Sequence, residues 1–278
     1  ERGEGVPQNI ASVGLPLNFV PIWDLETPPI GGVISPGGGR GGYSLASNDL
    51  DETTFGPRLE IWGDDGRRNN GGRGGHPLTY DISRTFFGGG GGAGDQDSDQ
   101  GGSGGRGGGL VFITSYGSIN GDGIIEVNGQ AGQNSNPLDL PVGGGVTRRG
   151  NDGAGGGGAA GSILIENITP IPLTINLNAI GGNGGNQNLD YSSPSTSREA
   201  GGPGGSGAGG SISYTLGSPV EDVSGGTPGV TNSPFVDDFN VNGATSGADG
   251  VGNIVIPAFD LTIADAIICT NSTVDLTA

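Results

Sequence analysis

The stretch "GDQDSDQGG" sets Asp95, Asp97 and Asp99 at alternate positions, and their type and spacing point to metal chemistry. Hard carboxylate oxygens spaced in this way can wrap a Ca2+ ion. The pattern departs from a helix–loop–helix calcium loop. Gln100 stands where the sharp turn needs glycine, Gly101 comes one residue late, and no glutamate follows at the twelfth position. A Ca2+ site on Asp95, Asp97 and Asp99 and a solvated acidic loop are the two readings. The pairs Asp64-Asp65 and Asp237-Asp238 carry less, and Asp122 in "NGDG" suits a turn.

Other chemistry finds little footing. His76 is the only histidine and precedes Pro77 beside a glycine run; Cys269, the only cysteine, has no histidine near it in sequence. Cys269 reads as a small buried hydrophobe or as half of a bridge to residues outside this stretch. No nucleophile elbow and no zinc-ligand spacing occurs. The expectation is a chain that is not an enzyme; a β-helix carbohydrate-active enzyme with paired carboxylates is the second alternative. The motif "GGRGG" occurs three times, around Arg40, Arg73 and Arg106. Such segments suit RNA, but the net charge is −18, so nucleic acid is excluded on electrostatic grounds. A structural use of the arginines, donating to carbonyls or to the Asp clusters, is expected instead. Asn167-Ile168-Thr169 and Asn271-Ser272-Thr273 fit a glycosylation sequon, but Asn167 falls in an expected strand.

The elements that must position any such residues are short and β-like. The chain has 278 residues, of which 64 are glycine and 18 are proline, with no lysine and no methionine. Glycine runs at 37–42, 71–75, 88–94, 101–109, 153–158, 181–185 and 201–210 separate the segments "RLEIW" (58–62), "LVFIT" (110–114), "GIIEV" (123–127), "SILIENI" (162–168), "LTINLNAI" (173–180), "SISYTL" (211–216) and "GNIVI" (252–256). β-Branched and aromatic residues dominate them, and none shows a helical period. The leading apolar residues Leu59, Leu110, Ile163, Ile212 and Ile254 recur at intervals of 51, 53, 49 and 42. That is a degenerate repeat of the size that builds stacked architectures.

The expected fold is all-β: a repetitive β-solenoid or β-helix-like stack with long glycine-rich loops and very little helix, over residues 37–256. The alternative is a β-sandwich with polyglycine-II-like packing. The runs show no strict three-residue period, which favours loops over packed extended chains. Residues 1–36, interrupted by Pro16, Pro21, Pro28, Pro29 and Pro36, read as an extended segment anchored on a partner by Phe19 and Trp23. Residues 257–278 read as a C-terminal strand or the start of a further module, with Phe259, Leu261 and Ile263 on one partner-binding face. No apolar run approaches the length of a membrane span, so no membrane insertion is expected. A chain that opens on Glu1 fits a processed mature protein or an excerpt.

The tail "ICTNSTVDLTA" resembles the opening strand of Ig-like or PKD-like repeats in very large Bacteroidota surface proteins. The segments "GGGGAAGSILIENI" and "INLNAIGGNGG" resemble glycine-rich regions of secreted bacterial adhesins. Together they resemble a type IX-secreted, gliding-motility adhesin. That resemblance implies a secreted protein on the cell surface, engaged by export machinery, and mediating adhesion to a surface or polysaccharide. The expected function is a non-enzymatic extracellular adhesin or stalk region. The alternative is a filament subunit that joins neighbouring copies of itself by terminal strand addition.

Overall fold

A computed structural model describes residues 37–42, 44–45, 71–76, 84–94, 101–135, 140–142, 146–148, 152–188, 200–231 and 244–257. Their strands are β1 (Ser44–Leu45), β2 (Leu110–Ser115), β3 (Gly123–Glu126), β4 (Leu140–Val142), β5 (Val146–Arg148), β6 (Ser162–Asn167), β7 (Ile175–Asn178), β8 (Ala200–Gly201), β9 (Ser211–Tyr214), β10 (Val220–Asp222) and β11 (Val251–Val255). Two small antiparallel pairs, β1–β8 and β4–β5, stand apart from two larger sheets. One larger sheet has the order β11-β9-β6-β2, the other β10-β7-β3, and every pairing in both is parallel. No helix occurs among the described residues.

Sequence alternation explains how the two sheets meet. In "SILIEN" and "SISY", Ile163, Ile165, Ile212 and Tyr214 fall on one face. In "INLN", Ile175 and Leu177 do the same. These residues join one core with Val127, Ile171 and Ala179, flanked by Val111, Ile113, Ile125 and Val223. Ile163, Leu177 and Ile212 are fully buried there. The repeat is real, but its register differs by one residue from the apolar alignment read in the sequence. Leu110 pairs with Ser162, and Val111 pairs with Ile163. Because strand faces alternate, that single step puts Leu110 on the outer face and Val111 on the core.

The glycine runs are not loops. The runs at 101–109, 153–158, 181–185 and 201–210 lie in extended segments that adjoin strands, and neighbouring segments, 71–76 and 84–94 included, bond to each other at every third residue. Gly102, Gly105 and Gly108 donate N–H groups to the carbonyls of Gly153, Gly156 and Ala159. Gly155, Gly158 and Gly161 donate to Gln133, Gln130 and Val127, while Gly156 and Ala159 donate to Gly92 and Gly89. The third set, Ala154, Gly157 and Ala160, donates to Gly202, Gly205 and Ala208. Successive residues thus point their N–H groups in three directions, which is the screw of a polyproline-II-like chain with no internal hydrogen bonds. Bonds accepted from 37–42, 101–109 and 179–187 close the circle, so 152–161 is surrounded on every side by other extended segments. Residues 202–210 are surrounded in the same way by 37–42, 71–76, 152–161, 179–187, 223–231 and 244–250. The result is a hexagonal array of columns at one end of the two sheets.

Glycine is required here by close approach. A Cβ built at Gly156 would fall inside the van der Waals shell of the Gly39 carbonyl oxygen, and one at Gly204 would meet Gly155 in the same manner. Small side chains survive at a few places: Ala159, Ala208 and Ala248 cluster between columns, and Ser206 links Gly226 and Gly247 through its hydroxyl.

The expected all-β solenoid with long glycine-rich loops is therefore corrected. Each sheet is built from parallel strands joined by crossovers, as in the parallel sheets of α/β folds. Here the crossovers run through the second sheet and the glycine columns, where those folds place helices. The β-sandwich alternative fails on strand direction, because such sandwiches are antiparallel. Val251–Val255 pairs with β9 of its own chain, while residues 258–278, on which the expected C-terminal strand falls, lie outside the described residues.

Candidate functional site

Among the described residues, a regular surface lies on the outer side of β3, β7 and β10 and of the columns 127–135, 179–187 and 223–231 that follow them. Within each strand the outward residues alternate, and within each column they come every third residue. Parallel register aligns Ile124, Asn176 and Val220 in one row, and Glu126, Asn178 and Asp222 in the next. Past the strands, the ladder of bonds from Gly129, Gly132 and Ser135 to Ile180, Asn183 and Asn186 keeps columns in step. The rows continue as Asn128–Ile180–Ser224, Ala131–Asn183–Thr227 and Asn134–Asn186–Val230. Adjacent strands in a sheet lie about 4.8 Å apart, so the strand part of this surface is a closely spaced grid of side chains.

Four asparagines of the grid, Asn128, Asn134, Asn183 and Asn186, are held by the lattice. An N–H at the outer position of a surface column has no neighbouring column to meet, and an unpaired backbone group is costly. The side-chain oxygen of the preceding column supplies the acceptor. Asn128 Oδ1 takes the Ile180 N–H (2.8 Å), and Asn134 Oδ1 takes that of Asn186 (2.7 Å). Asn183 Oδ1 takes both the N–H and the hydroxyl of Thr227, and Asn186 Oδ1 takes the Val230 N–H. With each oxygen committed, the amide NH2 groups remain as donors on the grid. Neighbouring copies of one pattern thus make a rigid, neutral, hydrogen-bonding surface, with Glu126 and Asp222 confined to a single row.

The turns linking the sheets are also fixed. Gly121 and Gly217 adopt left-handed backbone there. Asn167 is buried at the end of β6. Its Nδ2 donates to the carbonyls of Thr169 (2.6 Å) and Leu216 (2.7 Å), and its Oδ1 accepts the N–H groups of Thr215 and Leu216. A sequon asparagine so fully used inside the fold is a bracket between repeats and not a glycan acceptor.

A separate polar cluster closes the last layer. Glu221 pairs with Leu177 in register, so a carboxylate takes the place of the apolar side chain that faces the core one layer below. Tyr214 donates its hydroxyl to Glu221 Oε1 (2.8 Å) and lies 2.8 Å from Asn253 Oδ1, while the Asn253 N–H donates to Glu221 Oε2 (2.7 Å). Asn253 itself has a left-handed backbone (φ 52°) where β11 shifts register against β9. Burial, and then the hydrogen bond to and the charge of Glu221, push the Tyr214 phenol up to about 12. The proton is held more tightly in the folded than in the unfolded chain, where tyrosine titrates near pH 10. This contribution to stability is therefore complete below about pH 10 and is lost as pH rises toward 12. Chemical denaturation at pH 8, 10 and 11.5 should show the wild-type chain losing more stability than Tyr214→Phe over that window; equal losses would contradict the assignment.

Of the residues singled out in the sequence, Asp95, Asp97, Asp99, Phe19, Trp23, Phe259, Leu261, Ile263 and Cys269 lie outside the described residues. Among the described residues, no group of three or more His, Cys, Asp or Glu is placed to hold a metal ion. No described helix is long and apolar enough to cross a membrane. His76 ends the column 71–76 and is buried, where its carbonyl accepts the Gly37 N–H. Arg40 and Arg73 are half-buried and Arg106 is exposed. The grid itself was not singled out in the sequence. Its signal is the spacing of non-glycine residues within the runs, as in "IGGNGGN" and "SGGTPGV". The chain matches no protein-family model, no curated protein and no solved structure.

Proposed function

We propose that this chain is a rigid, non-enzymatic part of an extracellular surface adhesin or its stalk, and that the grid is the face that lies against polysaccharide or a comparable extended surface. The observation that carries this reading is the in-register row Ala131–Asn183–Thr227 with its neighbours Asn128–Ile180–Ser224 and Asn134–Asn186–Val230. Short side chains locked by backbone bonds lose little entropy on contact, so a weak contact per row sums favourably over several rows. An extended polymer offers hydroxyl groups at regular intervals that the fixed amide NH2 groups can meet. The acidic charge of the chain suits a neutral polymer better than a polyanion.

The test is depletion of the purified chain onto insoluble polysaccharides, cellulose and chitin first, against a soluble oligosaccharide control. Ala131 is exposed and its side chain takes part in no lattice bond, so Ala131→Arg adds a protrusion without disturbing the columns. Retention should fall at least tenfold in Ala131→Arg with the thermal midpoint unchanged. No retention of the wild type, or equal retention of the variant, would overturn the reading.

A further inference from the structure

The two ends of the stack are finished differently, and the difference points to a partner. At the last layer, Glu221 with Tyr214 and Asn253 replaces apolar packing by a satisfied polar cap, and the shift in β11 spoils the edge for further pairing. At the first layer nothing comparable is present among the described residues. Val111, Ile113 and Ile125 face the core at that end but are only half-buried, whereas Ile163, Ile165 and Leu177 one layer in are closed off. The edge strand β2 is regular over its whole length, with no proline and no register shift.

The hydrogen-bonding groups of that edge that meet no other described strand can be placed. Ser162 N–H donates to the Gly109 carbonyl and Ile168 N–H to the Ser115 carbonyl. Strand alternation then turns the N–H and C=O groups of Val111 and Ile113 toward β6, and those of Leu110, Phe112 and Thr114 away from it. Phe112 and Ile124, on the outer faces beside this edge, are well exposed. A long, flat, apolar edge of this kind pairs with another strand unless it is protected.

We infer that the edge formed by β2, β3 and the columns 101–109 and 127–135 binds a second copy of this chain, in a closed two-fold dimer. The occupant follows from the shape of the edge. Its strand part is two layers thick, and it is continued at one end by the glycine columns 101–109 and 127–135, with 84–94 bonded alongside 101–109. A partner must bring a strand to β2, a strand to β3, and extended glycine segments to both columns at the same spacing. Another copy of the same edge meets all of these demands at once, and a single extended peptide meets only one. The polar cap at the opposite end stops the association at two copies.

Sedimentation velocity of the full 278-residue chain over a dilution series tests the inference, with no polysaccharide present. The wild type should sediment as a dimer that dissociates on dilution. Phe112→Pro removes an outward N–H and no bond to β6, and Ile125→Glu places at the first layer the residue type that caps the last. Each should raise the dimer dissociation constant at least tenfold. Ile125→Glu keeps the test decisive if Phe112→Pro fails to fold. A wild type that stays monomeric at every concentration, a dimer indifferent to both changes, or an open-ended polymer would each overturn it.

Discussion

Gly156→Ala is expected to prevent folding of the glycine array, with a loss of more than about 4 kcal/mol in stability, the range reserved for changes that break a packed interior. The new Cβ would meet the backbone of Gly39 and Arg40, and no side chain is at hand to swing aside. Relief would require moving a whole column, and 152–161 is bonded to columns on all sides. Gly109→Ala is the matched control. Nothing lies within 4 Å of its would-be Cβ, so the same chemical change only restricts the unfolded chain. It should stabilise by about 0.4–1 kcal/mol. Denaturant unfolding of both variants reads the contrast. Equal effects at the two positions would mean that the glycines serve as flexible linkers and that the columns are not packed.

The second large effect is expected at Leu177. It is fully buried on the middle strand of the β10-β7-β3 sheet and belongs to the core shared by both sheets. Leu177→Ala removes apolar volume from a site whose walls are strands held in register on both sides, so the cavity cannot collapse. The expected cost is about 3–5 kcal/mol, the upper part of the range for such truncations. The same measurement on Leu173→Ala, an exposed residue in the turn before β7, should show less than about 0.5 kcal/mol. A small loss at Leu177 would mean that the columns alone hold the chain together.

Much of the strand content could be read from composition and alternation. The cores of β2, β6, β7 and β9 lie where "LVFIT", "SILIEN", "INLN" and "SISY" put them, because alternating β-branched residues have one good face to bury. "VED" at Val220–Asp222 was missed: it is short, and Glu221 stands where an apolar residue would signal a strand. Direction was not legible. Strand-forming segments separated by glycine suggest tight antiparallel turns or solenoid rungs, and only the long-range pairing reveals that each sheet is parallel. The period-three order of the runs was on the page in "GGSGGRGGG". Ser103 and Arg106 sit at the outward position, while Gly102, Gly105 and Gly108 face the interior. Where outward positions are themselves glycine, as at Gly90, the period disappears from the letters though it persists in the backbone. The grid could not be anticipated without that period. Its asparagines look like turn residues until their oxygens are seen to take orphan N–H groups from the next column.

Amide hydrogen exchange resolved to single residues tests the packed-column architecture most directly. The account predicts that the N–H groups of Gly155, Gly158 and Gly161, and of Gly204, Gly207 and Gly210, exchange as slowly as those of β6. All of them are bonded inside the array. Exchange of these glycines at the rate of an unstructured chain, with β6 still protected, would contradict it.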